Sequence, residues 1–208
     1  PVSKIAVVPM LMTVHPSVPV KNAKEVIAFA RARPGQIAFA TAGVGTTGHL
    51  AGELFKSMAR VDILHVAYRG SPQALIETIA GQVSMAISPI LTSLPHARAG
   101  KLRPLGVTTP RASPSAPEVP PLAVAAGLPG YEATLWYGLF APAGTPRENV
   151  TRLSAEVVTI LGLSDVAESL RKQGAEPEGM TPDQFAAYQR SEIEKWAKVV
   201  KEANITVN

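Results

Sequence analysis

Gln36-Ile37-Ala38-Phe39-Ala40-Thr41 followed by Ala42-Gly43-Val44-Gly45-Thr46-Thr47-Gly48-His49-Leu50 is an apolar run, a glycine-rich turn and the start of a helical pattern. The six residues before the turn have strand length and end without a polar break. After it, Leu50, Leu54 and Met58 recur at helical spacing and predict one apolar helix face. A strand that runs through a glycine turn into a helix is the first half of a βαβ unit, so the segment predicts an α/β fold.

The pattern repeats outward from there. Asn22 and Glu25 form a capping box ahead of Val26, Ile27 and Ala30, and Pro34-Gly35 ends that helix. Asp62 to Tyr68 reads as the next strand. Ser71 is placed to cap a helix with Pro72 in its first position, and Gly81 stops it. Val83 to Ser88 is a strand, a helix runs to Gly100, and Leu102 to Val107 is a strand. This alternation predicts crossovers and mainly parallel sheets. Loops 41–47, 68–72 and 88–92 then share the C-terminal edge of the strands, where open α/β sheets bind ligands.

Thr108 to Pro129 shifts to Pro, Ala, Ser and Gly and predicts a long ordered loop or interdomain passage. Thr134 to Ala141 resumes as a strand, and Ile5 to Val8 near the start reads as another. Thr145-Pro146-Arg147-Glu148 is a second capping box, before a helix bearing Val150, Leu153, Val157 and Ile160. Ser164 to Gln173 is a shorter helix. Thr181 to Gln184 opens the last one, whose apolar stripe is Phe185, Tyr188, Ile193, Trp196 and Val200, with Glu192, Glu194, Lys195, Lys198 and Lys201 as the solvated face. Two lobes follow, divided near residue 108: residues 13–108 form one, and residues 1–12 with 109–208 form the remaining part of the other.

Composition excludes several chemistries. The 208 residues include no cysteine, which removes thiol nucleophiles, disulfides and thiolate metal sites. Charged residues make up 17%, 20 basic against 16 acidic, and no basic tract gathers them, which speaks against nucleic acid as a partner. His15, His49, His65 and His96 stand apart with no metal spacing, and no serine nucleophile elbow occurs. No cofactor, metal or catalytic residue is expected. His65 and His96 are expected to be structural.

Gly43 to Gly48 spells G-x-G-x-x-G and leaves three readings open: a helix entrance that needs small residues, a small-anion site, or a dinucleotide site. For a dinucleotide, Asp62 begins the next strand where the ribose-binding acid should end it, although Arg69 offers a partner for a 2′-phosphate. For an anion, the hydroxyls of Thr46 and Thr47 join the backbone N–H groups of the turn, with His49 in the first helical turn. Tyr68, Ser88 and Arg69 end the neighbouring strands, each with a structural reading beside the ligand-facing one.

Taken in order, Ala42 to Phe55, His65 to Ser71, Gly100 to Val107, Gly127 to Tyr131, Gly138 to Pro146 and Ile193 to Val200 resemble the substrate-binding proteins of tripartite tricarboxylate transporters, the Bug receptors. The resemblance covers residues 5 to 205. It implies a type II periplasmic-binding-protein fold, two lobes closing on a small carboxylate, a precursor with a signal peptide, no catalysis, and delivery to membrane subunits of the transporter. Carried over by position, Thr41, Ala42, Gly43, Gly45, Thr46, Thr47 and His49 hold the carboxylate, and Tyr68 and Ser88 line the same cleft. Such a receptor begins with a strand and glycine loop that this chain does not show, so lobe 1 is expected to be incomplete and self-association to complete it. Serine at 88, where relatives carry Asp or Asn, favours a plain organic acid over an amino acid. The alternatives are an NADP-linked oxidoreductase fragment built on Gly43–Gly48 and a remnant without ligand affinity.

Overall fold

The structure, a computed structural model, describes residues 1–206. Its strands are β1 (Ser3–Val8), β2 (Met10–Val14), β3 (Ala38–Thr41), β4 (Leu64–Ala67), β5 (Met85–Pro89), β6 (Arg103–Val107), β7 (Leu135–Leu139) and β8 (Glu176–Pro177). The helices are α1 (Ala23–Ala32), α2 (Thr47–Ala59), α3 (Ser71–Ile79), α4 (Ile90–Arg98), α5 (Leu122–Ala125), α6 (Arg147–Leu161), α7 (Ser164–Lys172) and α8 (Pro182–Glu202). The α/β class is as the alternating pattern predicts.

The sheets are mixed rather than mainly parallel. In the five-stranded order β4-β3-β5-β2-β6, β3 runs parallel to β4 and β5, whereas β2 runs antiparallel to β5 and β6. The expectation missed β2. All five of its residues are buried, so it lacks the alternation that marks a half-buried strand, and only Pro9 separates it from β1. The second sheet, β7-β1-β8, is antiparallel throughout.

Two compact units result: residues 1–8 with 135–198, and residues 9–134 with 199–208. The division expected at 12/13 and 108/109 therefore lies elsewhere. In the larger unit β2 is a central strand, and the proline-rich stretch is packed rather than in passage. Ala116 and Val119 join Leu11, Ile90, Leu94 and Val107 in one apolar cluster. Tyr131, 1% exposed, donates its hydroxyl to the Ala51 carbonyl at 2.9 Å and meets Phe55 edge-on. Prolines supply the irregular path, and the apolar residues between them supply the burial.

Local signals fared unevenly. Asn22 accepts from the Glu25 N–H at 3.0 Å, and Thr181 and Gln184 cap each other reciprocally at 3.0 and 3.3 Å. The box at Thr145 does not form: the Thr145 hydroxyl turns back to the Pro142 carbonyl and Pro146 is the N-cap of α6. Gly70, not Ser71, is the N-cap of α3. On α2 the fully buried apolar residues are Ala51, Phe55 and Ala59 rather than Leu50, Leu54 and Met58.

In the smaller unit, Phe185 is buried and packs edge-on against Trp136, while Ile193 is 60% exposed. Glu192, expected in solvent, is buried beneath Trp196, whose indole N–H it accepts at 2.9 Å, and it pairs with Lys195. A four-residue step puts 188, 192 and 196 on one face, so that face contains a carboxylate. Leu153, Val158 and Ile160 of α6 and Tyr137 and Phe140 around β7 are exposed, and β7 is an edge strand.

Candidate functional site

The larger unit brings three predicted loops to one edge of its sheet. Strand β3 ends at Thr41, and the chain passes through Ala42–Thr46 into α2, whose N-cap is Thr46. The Tyr68 N–H donates to the Thr41 carbonyl at 3.0 Å and the Gly70 N–H to the Ala42 carbonyl at 3.2 Å, so the loop after β4 continues the ladder beside the glycine turn. On the other side β5 pairs with β3 through Phe39–Met85 and Ala40–Ala86, and extending that register sets Ser88 level with Ala42.

Two glycines of the turn have a mechanical reason. Gly45 has φ +76°, a left-handed conformation that a side chain strains. A Cβ on Gly48 would lie 2.5 Å from the Ile87 carbonyl oxygen, so this glycine lets the first turn of α2 press against β5. The first-turn N–H groups of α2 have no carbonyl one turn back, and the positive end of its dipole lies at this edge.

The side chains divide between those turned into the loop and those turned to the edge. The Thr46 hydroxyl donates to the Gly43 carbonyl at 2.7 Å. Thr41, fully buried, contacts both Gly43 groups at 3.3 Å and His65 Nε2 at 2.7 Å. His49 is 6% exposed; its Nδ1 accepts the Gly45 N–H at 3.0 Å, and its Nε2 is 3.8 Å from Glu53. Its ring stacks on His65 at 3.8 Å. Burial lowers the pKa of His49 against the opposing pull of Glu53 and with help from Lys56. For His65, burial first and then His49 and Lys56 push it down to about 4.

At the edge itself, Tyr68 and Thr47 are half-buried and Gly45 is open to solvent. Burial raises the Tyr68 pKa, with Glu77 adding to it, so the hydroxyl is a donor at neutral pH. The Ser88 hydroxyl is buried and, among the described residues, has no hydrogen-bond partner. Such a group costs stability unless something else uses it. Arg69 is exposed, and its N–H is taken by Gln73 at 3.3 Å.

The geometry opposes a dinucleotide. Since β3 and β4 are parallel, Asp62 precedes β4 and sits at the sheet edge opposite the glycine turn, where its backbone carbonyl accepts from Gly35. No group of three potential metal ligands occurs among the described residues, nor is any helix there long and apolar enough to cross a membrane.

A family model described as the tripartite tricarboxylate transporter family receptor matches residues 1–205. The chain belongs to this family. A "UPF0065 protein in tcbD-tcbE intergenic region" from a Pseudomonas species is 39% identical over all 208 residues, which span 62% of its length. Among solved receptors, "R. palustris Rpa4515 with adipate" superposes with a TM-score of 0.82 at 41% identity, covering 99% of this chain and 69% of that one. "MatC (Rpa3494) from Rhodopseudomonas palustris with bound malate" follows at 0.75 and 31%, covering 96% and 69%. The family is one of solute receptors, and nothing in these likenesses supports the oxidoreductase alternative.

The His49–His65 stack is the feature that sequence reasoning missed. The two residues are sixteen apart, and each alone reads as an isolated histidine.

Proposed function

We propose that this chain is the greater part of a periplasmic receptor for a small di- or tricarboxylate, which it hands to the membrane subunits of a tripartite transporter. The unpartnered Ser88 hydroxyl beside the glycine turn carries the reading. It is a buried donor level with Ala42, at the strand edge where α2 begins, and a carboxylate oxygen satisfies it. Ala42 and Thr47 present backbone and hydroxyl donors, Tyr68 and Ser88 flank the anion, and Thr41, Thr46 and His49 hold Gly43 and Gly45 in the shape of the turn. The adipate and malate bound by the two Rhodopseudomonas relatives set the size and charge class. Neither a cofactor nor a reaction enters this function.

In this reading the open β7 edge and the exposed Tyr137, Leu139 and Phe140 beside it also favour self-association, which sedimentation velocity over a concentration series measures directly.

A thermal-shift screen of adipate, malate, succinate, citrate, benzoate, glutamate and NADP tests the function. A ligand at about one hundred times its dissociation constant adds roughly 2.7 kcal/mol, a shift of about 5–10 °C for a chain of this size. A response to a carboxylate and none to NADP is the expected result. A response to NADP alone sinks the proposal.

A further inference from the structure

The loop that the carboxylate reading depends on is braced from behind by two imidazoles. Gly45 can only donate through its N–H, so His49 Nδ1 must carry a lone pair for the 3.0 Å contact to be a hydrogen bond. That assigns the proton of the neutral ring to Nε2, toward Glu53 at 3.8 Å. Strand β4 presents His65 flat against the other side, ring planes 12° apart and centroids 3.8 Å apart. His65 in turn reaches Thr41 at 2.7 Å, and Thr41 reaches Gly43.

We propose that His49 is the positioning residue of the anion-binding turn, holding Gly45 in place through an unprotonated Nδ1, and that His65 stacked upon it fixes the orientation of that ring. The inference rests on the carboxylate reading for its functional consequence but not for its geometry. Gly45 needs help because its left-handed conformation has no side chain to hold it and its position is exposed. Protonation of His49 replaces the lone pair with a second N–H facing the first, and the turn loses its brace.

The surrounding charges are few. On α2 itself, Glu53 lies near Nε2 and favours the cation, but Lys56 occupies that carboxylate at 2.9 Å. From β4 comes His65, and from β3 only Thr41 and Phe39, neither of which titrates near neutrality. Burial is the main influence that keeps His49 neutral, and two cations at stacking distance would repel, so the rings do not both protonate readily. The consequence is a receptor that grips at neutral pH and loosens in acid by reshaping its turn.

The test uses the whole chain with His49→Gln and His49→Phe. Glutamine offers an acceptor oxygen that does not titrate, whereas phenylalanine keeps the stack and offers none. Without ligand, long-range proton–nitrogen NMR should show wild-type Nδ1 unprotonated at neutral pH, and the Gly45 amide should move in step with Nδ1 protonation on acidification. In His49→Gln that amide should not respond to pH. With adipate as probe, His49→Gln should bind within about threefold of wild type at neutral pH and His49→Phe about tenfold more weakly, the worth of one hydrogen bond. Because burial holds His49 below the ordinary histidine value of about 6.5, wild type should lose affinity more steeply than His49→Gln only at more acid pH, where the variant's remaining fall is adipate's own protonation. A protonated Nδ1 at neutral pH, a Gly45 amide indifferent to the ring, or wild-type affinity in His49→Phe would each overturn the proposal. If no form binds any carboxylate, the functional reading fails while the ligand-free spectra still decide the bracing.

Discussion

Acid should destabilise the larger unit through His65, and the size of the effect follows from its surroundings. The ring is pushed down to about 4 from an ordinary 6.5, with burial the main cause and His49 and Lys56 adding to it. Between those values the unfolded chain holds a proton that the folded chain refuses, so stability is full above pH 6.5 and declines as pH falls toward 4. The whole gap corresponds to about 3.4 kcal/mol. The ring is only half-buried, so solvent screening reduces this to roughly 1.5–2 kcal/mol. Urea melts across this range, on wild type and His65→Asn, measure it. Circular dichroism is the suitable probe, because Trp136 and Trp196 both belong to the other unit. The variant loses the stack, worth about 1 kcal/mol at every pH, but should show the shallower decline in acid. Parallel declines in the two proteins would refute the reasoning.

Removing the orphaned hydroxyl in Ser88→Ala should leave the ligand-free protein as stable or about 1 kcal/mol more stable in thermal melts, while calorimetry shows carboxylate affinity down about five- to tenfold. Tyr131→Phe strips one buried hydrogen bond and should cost about 1 kcal/mol, whereas Tyr131→Ala opens a cavity and should cost about 3–5 kcal/mol in the same urea melts. Lys4, 2% exposed, holds Glu178 at 3.1 Å and lies over the Tyr188 ring. Glu178→Gln should cost about 2 kcal/mol, less than a fully buried pair because the carboxylate is 41% exposed, and Lys4→Met should be nearly neutral. Tryptophan fluorescence follows both, since Trp136 shares that unit.

What could be read from the chain was what local chemistry decides. The glycine turn, the Asn22 and Thr181 caps and the three strand–loop junctions at the sheet edge depend on residues within a few positions of each other. Where two local choices compete, the pattern misleads: Thr145 prefers the Pro142 carbonyl to the helix it precedes. Burial on both faces hid β2, and with it the antiparallel half of the larger sheet. Glu192 broke the assumption that carboxylates face water, because an indole one turn away and Lys195 pair with it. At the site, the donors of the turn and Tyr68 and Ser88 lie at one edge as the βαβ pattern requires. The roles of Thr41, Thr46 and His49 as braces depend on contacts such as that with His65, which come from tertiary packing and from no spacing in the chain.

The central claim is that the turn after β3 captures a carboxylate, and amide mapping tests it most directly. In a titration of the isotope-labelled chain with each dicarboxylate of the screen, the account predicts saturable shifts concentrated at the amides of Gly43, Gly45, Thr47, Gly48, Tyr68 and Ser88. Saturable shifts centred elsewhere, with those amides still, would contradict it.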